Sequence, residues 1–419
     1  MTRERYVIAG GGVAGASAVR TLRESGFDGE LVLVGDERHR PYQRPPLSKE
    51  FLAGDTDEEG LWAQPGKWYR EQGVELLLGT RVTALDTVRR RLTLTSADDV
   101  DSMTYDALLL ATGVRARRLP GFEGERVHYP RTLDDALALR AHLRTTDRIA
   151  VVGAGFIGCE VAATAVGLGK SVTLFEPDTV PFRRSLGPQV GSALIGIHRR
   201  QGVDVRLGTG VREVRETPGG VLVVPVRGAP VESDLVVVGV GAVPNSEIAR
   251  AAGIEVHHGI VTDALGRTSH AGIWAAGDVA RQYHPRYGEH LRVEHHDTAV
   301  RQGAQAARNM LGAGEEFAEP FWFWSDQYGH SVQSAGRLPD PFEPVLRGRV
   351  EEGRFSAFAW RDGKVTGVVA LNRPRDVLDV RRLVFAEHEI SPEQLRDESV
   401  ALRRLLPRAA AARPARDRA

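Results

Sequence analysis

Cysteine is almost absent from this chain: Cys159 is the only one in 419 residues. A disulfide framework is therefore excluded, and so is a Cys-x-x-Cys pair for redox or metal chemistry. Charge of one sign is lacking too. The 55 Lys and Arg balance 55 Asp and Glu, which leaves no electrostatic footprint for nucleic acid or a membrane surface. No apolar stretch nears the roughly 20 residues of a membrane span, and the first apolar run is a strand before glycines rather than the core of a signal peptide. The expectation is a cytoplasmic protein of two to three domains with no nucleic-acid or membrane partner.

What is present is a unit that occurs twice. The strand Tyr6-Val7-Ile8 enters Gly10-x-Gly12-x-x-Gly15, then a helical segment with Ala14, Ala18, Val19 and Leu22 on one face, then a second strand, Leu31 to Val34, ending at Asp36. One such glycine pattern is often an ordinary turn. Here the flanking strand, helix, strand and acid fall in the register of a dinucleotide site. Gly10 allows the tight turn, Gly12 the approach of backbone N–H to a pyrophosphate and Gly15 close helix packing, with Asp36 placed for the ribose. The unit recurs as Ile149 to Val152, Gly153-x-Gly155-x-x-Gly158, a helix face of Ile157, Val161, Ala165 and Leu168, and Val172 to Phe175 ending at Glu176. Two copies predict two bound dinucleotides.

Between and after the units, strands are predicted at 73–78, 81–85, 91–95, 105–113, 203–207, 220–226, 233–245 and 272–278. A helix is predicted from Thr298 to Leu311 with Asp297 as its N-cap. A proline-stiffened loop carries Arg44 and Lys49. From Pro320 the composition turns aromatic and β-rich, and residues 403–419 hold six arginines, which predicts a disordered tail.

The two glycine units, Arg44-Pro45-Pro46-Leu47-Ser48-Lys49, Ala111-Thr112-Gly113, Glu160, Val243-Pro244-Asn245, Ala276-Gly277-Asp278 and Phe323-Trp324-Ser325-Asp326 resemble, in this order, the flavin-dependent ferredoxin reductases of bacterial oxygenase systems. These belong to the glutathione-reductase-like flavoproteins. The resemblance implies an α/β chain with two Rossmann-like dinucleotide-binding domains and a C-terminal α+β domain. It places a discontinuous FAD domain at 1–112 and 245–317, an NAD domain at 113–244, the third domain at 318–406 and a tail at 407–419. It also implies FAD on the first unit and NADH on the second.

By the same resemblance, hydride would pass from nicotinamide to flavin N5. Asp36 and Glu37 would meet the adenosine ribose, and Gly10, Gly12, Val13, Ala14 and Gly15 the pyrophosphate. Arg44, Pro45, Val82, Ala111, Thr112, Gly113, Arg131, Gly241, Gly277 and Asp278 would line the FAD path. Lys49 would favour the anionic reduced flavin, held in place by Glu160; these two are the catalytic candidates. Glu294, His295 and His296 would bring a helix N-terminus to the flavin, and Trp324 would pack near its ring. Adjacent histidines without further spaced ligands make no metal site, so no metal is expected. Gly153, Gly155, Phe156, Ile157 and Gly158 would hold the nicotinamide dinucleotide. Glu176 favours NADH by accepting from the ribose hydroxyls and repelling a 2′-phosphate, although Arg183 and Arg184 stand nearby in sequence. Cys159 reads as a packing residue more readily than as a low-pKa thiol.

With no cysteine near the flavin loop, thiol–disulfide relay is excluded. Electrons would leave singly for a small acidic iron–sulfur ferredoxin that supplies an oxygenase. Two other readings share the same residues: reduction of a small acceptor such as a quinone or ascorbyl radical, and a redox-sensing protein like apoptosis-inducing factor.

Overall fold

The computed structural model describes residues 3–97, 99–339, 343–386 and 388–405; the expected tail at 407–419 and the side chain of Arg184 lie outside the described residues. The described residues fall into two compact units, one within Met1–Pro181 and Ile197–Glu319, the other within Phe182–Gly196 and Pro320–Ala419.

The first glycine unit forms β1 (Arg5–Ala9), α1 (Val13–Glu24) and β2 (Glu30–Gly35), followed later by β3 (Val74–Leu78) and β4 (Ala107–Leu110). All pair in parallel, with Val7 opposite Val32 on one side and Leu108 on the other. Val7, Ile8 and Leu108 to Leu110 are fully buried, which is why these strands read as unbroken apolar runs rather than alternating ones. Each such side chain contributes roughly 1.5–3 kcal/mol on burial. A separate antiparallel sheet of Arg81–Asp86, Arg91–Thr95 and Val100–Thr104 follows β3.

The second unit repeats the plan. It comprises β5 (Val127–His128), α2 (Leu133–Leu143), β6 (Arg148–Val152), α3 (Phe156–Gly167), β7 (Ser171–Glu176), β8 (Asp204–Leu207) and β9 (Leu235–Val238). Its sheet runs β8-β7-β6-β9-β5, every pair parallel. The strand expected over 233–245 is two strands, β9 and Ala242–Pro244, because the chain turns away at Gly239 to Gly241 and the second piece pairs with Val114–Ala116.

The chain then returns to the first sheet. β10 (Ile273–Ala275) pairs with β4 and completes the order β10-β4-β1-β2-β3. It leads to α4 (His296–Met310), which crosses α1 at a very short distance. A Cβ placed on Gly303 would lie 2.1 Å from the carbonyl oxygen of Ala14, so only glycine permits this crossing. The Ser17 hydroxyl donates to the Val300 carbonyl at 2.8 Å and fixes the register of the two helices.

The second unit of the structure is a five-stranded antiparallel sheet. Its strands are β11 (Trp322–Gln327), β12 (His330–Gly336), β13 (Val345–Arg349), β14 (Arg354–Arg361) and β15 (Lys364–Leu371), in the order β11-β12-β15-β14-β13. The helix α5 (Pro374–Val380) covers it through Val377 and Val380, which pack with Phe358 and Val368.

The helix α2 is not among the elements expected from the sequence, yet it positions the site described below. It opens with a reciprocal cap, Thr132 accepting from the Asp135 N–H and Asp135 from that of Thr132. Near its end His142 Nδ1 lies 2.8 Å from His128 Nε2 on β5. Burial, and then the neighbouring His142, push the His128 imidazole down to about 4 against the pull of Asp135.

Gly303→Ala should lower the apparent melting temperature by several degrees, a cost of about 2 kcal/mol or more, as measured by calorimetry. Because the unfolded chain binds a proton at His128 near pH 6.5 and the folded chain only near 4, stability should fall as pH drops through that window, by up to roughly 3 kcal/mol. In His128→Gln the melting temperature should depend less steeply on pH between 4 and 6.5.

Candidate functional site

Both glycine turns present the same surface. Gly12 and Gly155 share φ −80° and ψ −177°, and each begins a helix with no side-chain cap and no acid in its first turn. The helix comes close to the strand because Gly15 and Gly158 sit over the carbonyls of Gly10 and Gly153, where a Cβ would approach to 2.1 and 2.0 Å. Nothing lies within 4 Å of a Cβ built on Gly12, so bare N–H groups and the positive end of α1 face open space. Val13 and Ala14, Phe156 and Ile157 line these first turns, and Ile157 stays 44% exposed despite its apolar side chain. Both cradles fit a pyrophosphate.

Beyond β2 the acids are held by guanidinium groups. Asp36 is exposed and takes two bonds from Arg81, at 3.0 and 2.7 Å. Glu37 accepts from Arg44 at 2.6 Å and from the Tyr42 hydroxyl at 2.5 Å, and Tyr42 in turn accepts from Arg44 and from the Leu133 N–H, both at 2.9 Å. Arg44 also donates to the Arg131 carbonyl at 2.7 Å, and the Arg131 side chain reaches Asp278 at 2.9 Å. Five side chains, those of Glu37, Tyr42, Arg44, Arg131 and Asp278, thus tie the end of β2 to a carboxylate three residues past β10. Val82 is buried with Val34 and Leu94, so any contact it makes with a dinucleotide falls to its backbone.

Small residues leave room beside Asp278. A Cβ on Gly277 would lie 2.9 Å from that of Ala14 and 3.7 Å from that of Ala299, while the Gly277 N–H donates to Gln302. Ala111 is bonded to Ala9, and Thr112 and Gly113 are clamped by Asn245, whose carbonyl accepts from the Thr112 hydroxyl at 2.7 Å and whose amide donates to the Thr112 carbonyl at 2.9 Å. Gly241 adopts a positive φ of 102° after β9.

The expected N-cap of α4 is corrected. His295, not Asp297, occupies the cap position and makes no side-chain cap bond, because Asp297 lies inside the first turn and pairs with Arg301 at 2.8 Å. Glu294 is drawn to Arg292 at 2.6 Å, and Arg292 also donates to the Asp278 carbonyl. Burial pushes the His295 imidazole down to about 4 despite Asp278 and Asp297, and lowers that of His296 as well. Both are therefore neutral near pH 7, and the positive end of α4 comes from its backbone alone.

The two glycine units meet at one carboxylate. Glu160 on α3 accepts at a single oxygen from Lys49 (3.1 Å) and from the Ser48 hydroxyl (2.5 Å). Both members of the ion pair are largely buried, with side chains 12% and 5% exposed. Pro45 opens the short 3-10 turn that ends at Ser48, and Thr164, one turn after Glu160, donates to the Ser48 carbonyl at 2.8 Å. On β7 the carboxylate of Glu176 accepts from the N–H groups of Ala154 and Asp178, at 2.8 and 2.9 Å, which sets it beside the second glycine turn. Arg183 belongs to the other unit. Cys159 is fully buried and its thiol is pushed up by that burial, so it carries no reactive thiolate. Trp324 lies on β11 in the second unit, stacked on Trp322 with ring centres 4.9 Å apart.

Sequence reasoning missed Tyr42 and Ser48 as members of the site, and Thr164 as an anchor outside it that holds the Ser48 backbone. Ser48 lies within the Arg44 to Lys49 segment, but its partner Glu160 is 112 residues away and no spacing rule connects them.

Residues 4–303 match the family model for pyridine nucleotide-disulphide oxidoreductases, and residues 322–406 match one for a reductase C-terminal domain. The chain is 40% identical to the ferredoxin–NAD(+) reductase component of the anthranilate 1,2-dioxygenase system of Burkholderia cepacia, over 97% of this chain and 100% of that one. It is 38% identical to rhodocoxin reductase of Rhodococcus erythropolis, over 95% and 93%. Among solved structures it superposes on the reductase of a covalent putidaredoxin reductase–putidaredoxin complex with a TM-score of 0.92 and 35% identity, covering 97% and 98%. Two helix N-termini without side-chain caps over glycine turns, and a family match that spans both, lead to one conclusion: the chain belongs to the pyridine nucleotide-disulphide oxidoreductase family and is one of its FAD- and NAD(H)-dependent oxidoreductases.

Proposed function

We propose that this protein takes hydride from NADH and passes electrons singly to a small acidic iron–sulfur ferredoxin that serves an oxygenase. The observation that carries the second half is Cys159: the only thiol is buried and unreactive, so the thiol relay in the family's name has no residue to run on. The relatives named for ferredoxin and putidaredoxin reduction support the choice of acceptor.

FAD, when bound, accepts the hydride and releases its electrons one at a time, which bridges a two-electron donor and a one-electron acceptor. The residues of this chain hold and tune it. The turn at Gly10 to Gly15 receives the pyrophosphate and Asp36 the ribose. Arg44, Arg131 and Asp278 fix the path toward the ring. Lys49, kept oriented by Glu160, presents a fixed ammonium that favours the arrival of negative charge, and the N-terminus of α4 adds a second positive field. Glu176 selects the unphosphorylated ribose.

In domain terms, 1–112 with 245–317 holds FAD, 113–244 holds the nicotinamide dinucleotide and 318–406 forms the third domain. Each of the first two contains one of the parallel sheets. A cytoplasmic setting belongs to this proposal, since NADH is regenerated there. No helix among the described residues is long and apolar enough to cross a membrane.

Anaerobic stopped-flow mixing tests the assignment. The yellow protein should be reduced much faster by NADH than by NADPH, and a ferredoxin should reoxidise it rapidly. Reoxidation by quinone or oxygen alone would reject the ferredoxin assignment. Lys49→Met should keep its FAD and be reduced about 10- to 100-fold more slowly; a normal rate at full flavin content would remove Lys49 from the mechanism.

A further inference from the structure

The Glu160 carboxylate receives two donors at one oxygen, and only one of them is a charge. The ammonium of Lys49 lies 3.1 Å away, while the neutral hydroxyl of Ser48 is the closer partner at 2.5 Å. Ser48 is 4% exposed, so its hydroxyl cannot exchange this bond for one to bulk water. Its carbonyl is held as well, by Thr164 at 2.8 Å, so the 3-10 turn bearing Lys49 is fastened to α3 at two points, four residues apart on one helix face. The two points differ in kind. The Thr164 bond ends on a backbone carbonyl and can only anchor, whereas the Ser48 bond ends on the carboxylate that faces the ammonium.

We propose that Ser48 is a positioning residue for hydride transfer: by donating to Glu160 it disperses the carboxylate charge and leaves more of the field of Lys49 directed at the bound flavin. This rests on the reading of Lys49 given above. A hydrogen bond to a buried carboxylate spreads its charge onto the donor dipole. Without that donor, a more concentrated negative charge cancels more of the neighbouring ammonium's field. The flavin then becomes harder to reduce, although no group that touches it has changed. The anchoring bond from Thr164 has no such consequence.

The test compares Ser48→Ala, Ser48→Thr and Thr164→Val as purified FAD-bound proteins, reading flavin content, flavin midpoint potential and the NADH dependence of flavin reduction. In Ser48→Ala the midpoint potential should fall and the limiting reduction rate drop about 5- to 10-fold at full flavin content, with the NADH concentration at half-maximal rate little changed. Ser48→Thr should restore both quantities, and Thr164→Val should leave the potential at its parent value. Should Ser48→Ala lose its flavin, Ser48→Cys, a weaker donor of similar shape, is read in its place and should show a smaller fall in potential. A parent potential in Ser48→Ala, or an equal fall in Thr164→Val, overturns the proposal. Lys49→Met separates the two levels. If it lowers the potential while Ser48→Ala does not, only the role of Ser48 fails; if it leaves potential and rate unchanged, the reading of Lys49 fails beneath it.

Discussion

A buried ion pair holds the first structural unit to its chemistry. Lys49 and Glu160 come from different glycine units, and each has given up most of its water. The desolvation cost of such a pair commonly equals or exceeds its Coulombic gain, so the pair contributes orientation more than stability. Its value is that both charges are fixed before any ligand arrives. The Ser48 hydroxyl and the Thr164 bond complete the arrangement, so the loop with three prolines is fastened at its Lys49 end as it is at Tyr42 and Arg44.

The chain of Glu37, Tyr42, Arg44, Arg131 and Asp278 does similar work along the rest of the site. Its guanidinium groups offer forked, planar donors, and each bond restricts the next. A carboxylate at one end and another at the other end are thereby held in register across segments far apart in sequence. The histidines at the start of α4 are treated in the opposite way: burial keeps them uncharged, so the field there comes from peptide dipoles whose direction does not depend on pH near neutrality.

Much of this was legible from the sequence because parallel strands buried on both faces must be continuous apolar runs. Leu108 to Leu110 and Val236 to Val238 announce themselves in that way. The strand Val100–Thr104 did not, since it lies on an exposed sheet and carries Asp101, Ser102 and Thr104. The helix α2 did carry a signal, the Thr132 to Asp135 cap, before the buried residues Leu133, Ala136, Leu139 and Leu143. Asp297 was read as a cap because aspartate favours that position; here a cation four residues on, Arg301, holds it within the first turn. Tyr42 and Ser48 were beyond reach for a different reason: Ser48 acts through a carboxylate 112 residues away, and Tyr42 joins its neighbours Glu37 and Arg44 to the Leu133 N–H 91 residues on, which only the folded chain brings close.

The Gly303 crossing has a consequence in time as well as in space. The edge strand β10 and the helix α4 come from residues 273–310, so the sheet that carries the first glycine turn remains one strand short, and α1 lacks its covering helix, until those residues have been synthesised. The second sheet closes earlier, once Leu235–Val238 has emerged. Domains that fold during synthesis do so in the order in which their segments become available. The cradle built around Gly10 to Gly15 is accordingly the later of the two to be completed, although its own glycine turn emerges first.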